Sequence, residues 1–142
     1  MVMKVDKTIA VPCEVAFDAM ADARNEPDWN AKVTRSDLVS GEPIEGRSRF
    51  ETVNRGQNYA ATITEFSRPS RLAFEVTGKM MDITATFEFS AGADGTIVQE
   101  SWDFRPKKLL KLAFPLMSPM IVRDLPKQME SFAKFCTRRA TT

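Results

Sequence analysis

The chain has 142 residues, a length suited to one domain over 1–142, and its 43% apolar and 27% charged residues suit a buried core with a solvated surface. Twenty basic against nineteen acidic residues leave a net charge of +1, so no global field gathers nucleic acid, and no apolar run reaches the roughly 18 to 20 residues a membrane span needs. Histidine is absent, which removes histidine-activated nucleophiles, histidine-ligated metals and the commonest general base near neutral pH.

In chain order, a strand is predicted from Met3 to Val11, with Lys4, Asp6 and Lys7 breaking the apolar continuity of a signal peptide, so a cytoplasmic chain is expected. Pro12 then opens a short helix in which Val15, Ala16, Ala19 and Met20 repeat at helical spacing, ending near Ala23. All six glycines fall between Gly41 and Gly95 and punctuate strand-like segments: Lys32–Val39, Arg47–Val53, Asn58–Phe66, Arg71–Thr77, Met81–Phe89 and Thr96–Phe104. Asp94-Gly95 supplies a hairpin turn, and the short connections leave no room for parallel crossovers, so the sheet is an antiparallel meander. A basic-then-apolar run from Lys107 through Lys111 to Met117, with Pro106, Pro115 and Pro119 nearby, leaves two readings open: a mobile gate that makes transient contact with anionic membrane while a lipid enters, or a solvated helix start whose apolar side covers the cavity. A long helix is predicted from Ser118-Pro119 with an apolar stripe through Ile121, Leu125, Met129, Phe132 and Cys136, kinked at Pro126. The fold class is thus α+β: one curved antiparallel sheet of about seven strands, short helices after the first strand, and a C-terminal helix laid across the concave face.

The segments Val11-Pro12 to Phe17 and Ala21-Asp22-Ala23-Arg24-Asn25-Glu26-Pro27-Asp28-Trp29-Asn30 resemble the START-like (SRPBCC) superfamily, specifically its polyketide cyclase and dehydrase-like branch. Gly46–Phe50, Ile63–Phe66, Pro69 and Leu72–Phe74 extend the resemblance over essentially the whole length. It implies a helix-grip fold, in which the sheet wraps the long helix around a hydrophobic cavity for a lipid, polyketide or aromatic ligand. It does not imply one reaction, since such members include both carriers and cyclases, and function has to come from side chains.

Ten Phe, eight Met and two Trp exceed a minimal core. The expected ligand-binding set is Trp29, Phe50, Tyr59, Phe74, Phe87, Glu100, Trp102, Met117, Met120, Leu125 and Met129, each of which also fits ordinary core packing. Period two puts Glu100 on the apolar face with Val98, Trp102 and Phe104, leaving three readings open: a twist that returns it to solvent, an ion pair with an inward arginine such as Arg49, or a carboxyl of raised pKa facing the ligand. Glu100 and Tyr59 are the only nominees for acid–base chemistry, and whether they face each other is not legible in the sequence. Gly41 to Ser48 approaches a phosphate-loop pattern but is rejected, because Glu42 and Glu45 repel phosphate and Pro43 removes a cradling amide. Cys13 and Cys136 sit in apolar helical patterns and read as free structural thiols.

These features predict binding of a small hydrophobic molecule without cofactor, metal or nucleic acid, and without stable membrane insertion. The alternatives are a cofactor-independent cyclase or dehydratase-like enzyme and an interaction domain with a filled core.

Overall fold

The computed structural model describes residues 1–140. The chain runs β1 (Val2–Ile9), α1 (Cys13–Ala21), a 3-10 turn (Ala23–Asn25), α2 (Glu26–Trp29), β2 (Val33–Leu38), β3 (Arg49–Asn54), β4 (Gln57–Ser67), β5 (Arg71–Gly78), β6 (Met81–Gly92), β7 (Gly95–Pro106) and α3 (Leu110–Ala140). The strands form one seven-stranded antiparallel sheet in the order β1-β7-β6-β5-β4-β3-β2. Strands β2 to β7 are the expected meander, and β1 joins β7 at the far edge, so the α1–α2 connection has to travel from one edge of the sheet to the other. Register shifts at Val33/Arg35 and Ile63/Glu65 mark bulges, which bend strands and help the sheet to curl.

Alternation decides which side chains enter the concave side. On β6, Ala85, Phe87 and Phe89 are buried while Glu88 is exposed; on β7, Thr96, Val98, Glu100 and Phe104 are buried. The convex side instead has ion pairs such as Arg71 with Glu65 and Glu88, and Arg105 with Glu75 and Asp103. Being solvated, these contribute little to stability.

Helix α3 covers the concave face with Phe114, Leu125, Met129, Phe132, Phe135 and Cys136, all buried. Its C-terminal half packs on a cluster in which Phe17 meets Phe66 and Phe89 edge-on, with centroids 5.1 and 5.4 Å apart. Trp29 docks α2 on this helix through an edge contact with Phe132 at 5.1 Å. Such pairs add about 0.5–1.5 kcal/mol beyond their burial. Cys136 lies fully inside, and burial pushes its thiol up to about 12. Cys13 is half-buried and accepts a bond from the Thr96 hydroxyl at 3.4 Å; both thiols are free.

One boundary departs from the sequence reading. The long helix begins at Leu110, not at Ser118-Pro119, so most of the segment expected to be irregular is helical, and Pro115, Pro119 and Pro126 all lie within α3. The first turn is tightened by bonds from Leu110, Lys111 and Leu112 amides to the carbonyls of Lys107, Lys108 and Leu109. Pro119 has no amide to offer Pro115, whose carbonyl is reached instead by the Ser118 hydroxyl at 3.4 Å. Burial of Phe114 beside Phe104, Met81 and Leu125 gives this weakened stretch a tertiary reason to stay helical.

Because prolines delete backbone bonds in the first half of α3, its amides are expected to exchange hydrogen faster than those of β7 from Thr96 to Phe104. Mass-spectrometric exchange that found equal protection in both would show that the missing bonds do not loosen the helix.

Candidate functional site

Between the concave face and the first half of α3 lies a pocket of about 430 Å³. It sits where the main core gives way to the smaller cluster of Met81, Phe104, Phe114 and Leu125. Its floor comes from Ala61, Phe74, Val76, Ile83, Ala85 and Phe87, its roof from Leu110, Met117, Met120, Ile121 and Leu125, and one end from Met20, Glu26, Trp29 and Asn30. The alanines matter by what they lack. Ala61 and Ala85 are buried sheet positions with only a methyl group to fill the space between sheet and helix.

Of the residues expected to contact a ligand, Trp29, Tyr59, Phe74, Phe87, Trp102, Met117, Met120 and Leu125 line the pocket. Phe50, Met129 and Glu100 do not; they are buried in the main core around it. Tyr59 owes its placement to a glycine, since it pairs with Gly78 across β4 and β5, and a Cβ built on Gly78 would stand 2.6 Å from the Tyr59 ring. Desolvation raises the Tyr59 phenol above its ordinary value, with Arg55 pulling the other way.

Glu100 faces inward as the alternation implies and is 2% exposed. Arg49 is exposed and does not pair with it. Its partner is instead the Trp102 indole, whose Nε1 donates to Oε1 at 2.7 Å, while Oε2 is buried without a partner. Desolvation, only partly offset by that bond, pushes the carboxyl up to about 7. Register carries Glu100 on β7 through Phe87 and Leu72 to Phe66 on β4, seven residues from Tyr59, so roughly 20 Å of strand length separates the two in addition to the intervening strands β5 and β6. They do not form a proton-transfer pair.

The carboxyl at the pocket is Glu26, which the sequence reading did not single out. It opens α2, a single helical turn in which Glu26, Trp29 and Asn30 share one side and all line the pocket end. Glu26 is half-buried at the pocket end, and desolvation pushes its carboxyl up to about 7, moderated by a hydrogen bond with Asn30. Asn30 is itself buried and accepts the Lys32 amide at 3.1 Å through Oδ1, and the buried Trp29 Nε1 has no partner. The turn is held from below, where Asp22 accepts the Arg24 amide at 3.1 Å and Asn25 donates to the Ala19 carbonyl at 3.2 Å. Helical spacing across Glu26-Pro27-Asp28-Trp29 was the signal available; Pro27 suggested only a turn, although proline is well suited to the first turn of a helix.

At the other end, the β3–β4 hairpin turns through Arg55 and Gly56, both at positive φ, as a tight two-residue turn requires. This aims Arg55 at α3, where its Nη2 donates to Asp124 at 2.8 Å, and the guanidinium holds the Asp124 carboxyl below the usual carboxylate range. Both residues line the pocket, so the ion pair bridges sheet and helix at its edge.

A curved sheet gripping one long helix, with a largely apolar pocket between them, defines a START-like domain. The chain belongs to the family described as polyketide cyclase / dehydrase and lipid transport, whose model matches residues 2–136. Comparison with curated protein sequences returned no match. Among solved structures, TTHA0849 from Thermus thermophilus is similar at a TM-score of 0.76 with 15% identity, covering 99% of each chain. A START superfamily protein from Mycobacterium smegmatis gives 0.68 at 16% identity, covering 99% of this chain and 97% of that one. The di-domain ARO/CYC StfQ from the steffimycin biosynthetic pathway gives 0.75 at 11% identity over 99% of this chain but 52% of its own length. At such identities these likenesses establish the fold.

The raised Glu100 carboxyl carries a linkage. The folded state holds the proton more tightly than the unfolded chain, so stability is greatest below the ordinary carboxyl range and falls as pH rises toward about 7. Glu100→Gln keeps the shape and cannot ionise. It is expected to leave thermal stability nearly unchanged at pH 5 and to raise it by about 1–2 kcal/mol at pH 8, after allowance for one unpaired amide group. Loss of stability at pH 8 on calorimetric melting would show that the buried charge is stabilised by something other than Trp102.

Proposed function

We propose that the whole chain works as one domain that takes up a small, largely apolar molecule in the pocket between sheet and α3. The observation that carries this reading is a floor and roof in which apolar side chains predominate, with Glu26 and Asn30 at one end, Arg55 and Asp124 at the other, and a polar minority that includes Thr52, Gln57, Tyr59 and Gln128. A volume of about 430 Å³ falls in the range, roughly 300–1,000 Å³, of small-molecule sites. Membership of a family described by polyketide cyclisation and lipid transport supports the same chemical class.

The test uses the missing side-chain volume at the floor. The neutral fluorophore N-phenyl-1-naphthylamine is expected to brighten on mixing with the protein, and native mass spectrometry of gently purified protein to find an apolar molecule carried along. Ala85→Trp fills the floor and is expected to lower probe affinity at least tenfold while circular dichroism still reports the native fold. Undiminished uptake by a folded Ala85→Trp variant would place the probe elsewhere and sink the proposal.

A second reading, turnover, is favoured by Glu26. A carboxyl that exchanges its proton near pH 7 at a pocket wall has the property wanted in an acid–base group acting on an enolisable carbonyl. The checking experiment is deuterium uptake from D2O at the carbon beside the carbonyl of 2-tetralone held in the pocket. Enzymatic exchange is expected to follow a titration near pH 7 and to fall about a hundredfold in Glu26→Gln, with tetralone binding retained. Exchange no faster than in buffer would leave the chain a carrier.

A further inference from the structure

The first half of α3 is apolar on two opposite sides. Its inner side, with Leu110, Phe114, Met117 and Ile121, is accounted for by the pocket and the small cluster beside it. Its outer side presents Leu112 and Leu116 at 80 and 85% exposure, and Leu109, 75% exposed, stands in the turn immediately before the helix. At 3.6 residues per turn Leu112 and Leu116 lie about 40° apart, facing away from the sheet. Single exposed leucines are ordinary, but two on one helix face with a third just ahead of it form a patch that protein monomers seldom leave to water.

The charge around the patch says what covers it. From Pro106 to Arg123 there is no acidic residue, against Lys107, Lys108, Lys111 and Arg123, in a chain whose net charge is only +1. Lys107 is tied to Asp82 at 3.0 Å and Arg123 lies 3.6 Å from Asp124. Lys108 and Lys111 are exposed, flank the leucines and have no ion-pair partner among the described residues. Lys79, also exposed, is brought close by the bond from the Lys107 amide to the Met80 carbonyl at 2.8 Å. Leucines rimmed by free lysines match a bilayer surface of anionic lipid, where acyl chains take the leucines and headgroups the ammonium groups. A second copy fits poorly, because isologous pairing sets the same lysines against each other. A protein partner fits less well too, since the outer face offers no aromatic anchor.

We infer that the outer face at the start of α3, from the turn at Leu109 to Leu116, is a docking surface for anionic membranes. Among the described residues no helix is long and apolar enough to cross a membrane, so the contact is interfacial and reversible. The inference deepens the uptake reading and rests on it: the helix that touches lipid is the one whose other side roofs the pocket, so an apolar molecule can pass between bilayer and pocket without crossing water.

Sedimentation of the full chain with sucrose-loaded vesicles tests it, using phosphatidylcholine alone or with one part in three phosphatidylserine. Binding is expected to require phosphatidylserine and to weaken with added salt. Leu112→Ser/Leu116→Ser is expected to lower the partition coefficient roughly tenfold at unchanged melting temperature, since both side chains are already solvated. Lys108→Glu/Lys111→Glu should lower it at least as far. Uptake of N-phenyl-1-naphthylamine from solution by the leucine variant should be unchanged, which separates failure of docking from failure of the pocket. Absence of wild-type binding to phosphatidylserine vesicles would overturn the proposal. So would a solution dimer, seen by light scattering, that the serine variant dissolves.

Discussion

A sheet with one apolar face has to hide that face, and in this chain only α3 is long enough to do it. The constraint is geometric as well as energetic. A sheet bent at two bulges presents a trough, and a helix laid along a trough fills it only where side chains on both sides are bulky enough to meet. At the C-terminal half of the helix the gap is closed by aromatic bulk from Phe17, Phe89 and Phe132 together with Trp29. At the N-terminal half the sheet offers Ala61 and Ala85, and the gap stays open. The pocket is therefore the unfilled part of the core, and its size is set by side chains on the floor more than by any loop.

Glu100 and Glu26 show how one electrostatic effect serves two ends. Both carboxyls are pushed up to about 7 by removal from water. Glu100 is locked inside the core against Trp102, where no small molecule reaches it and its raised value registers as pH-dependent stability. Glu26 borders the pocket, so under the uptake reading the same shift becomes chemical opportunity. A perturbed carboxyl marks a site only when geometry gives it something to act on.

Most of the architecture was legible in the sequence because the alternation of strands β3 to β7 and the glycines between them are local signals. The family resemblance in the segment from Asp22 to Asn30 agrees with the fold that results. What escaped notice was tertiary. The prolines of α3 argue locally against helix before Ser118, and only burial of Phe114 against Phe104 overrides them. Period two put Glu100 on the correct face, yet an indole two residues along its own strand is a nearer partner than any arginine. Phe50 and Met129 are as apolar as Phe74 and Leu125, and nothing in residue type separates second-layer packing from pocket wall; that distinction belongs to the curvature of the sheet.

Cys136 adds a consequence of a different kind. Its thiol is held in the seam between α3 and the rest of the core, with its pKa far above neutral, so a thiol reagent meets almost no thiolate while the helix is seated. Its alkylation rate is accordingly a native clock for the lifting of that helix. Its rate with and without added vesicles or an apolar probe compares how firmly the helix is seated in the two conditions, with no label introduced.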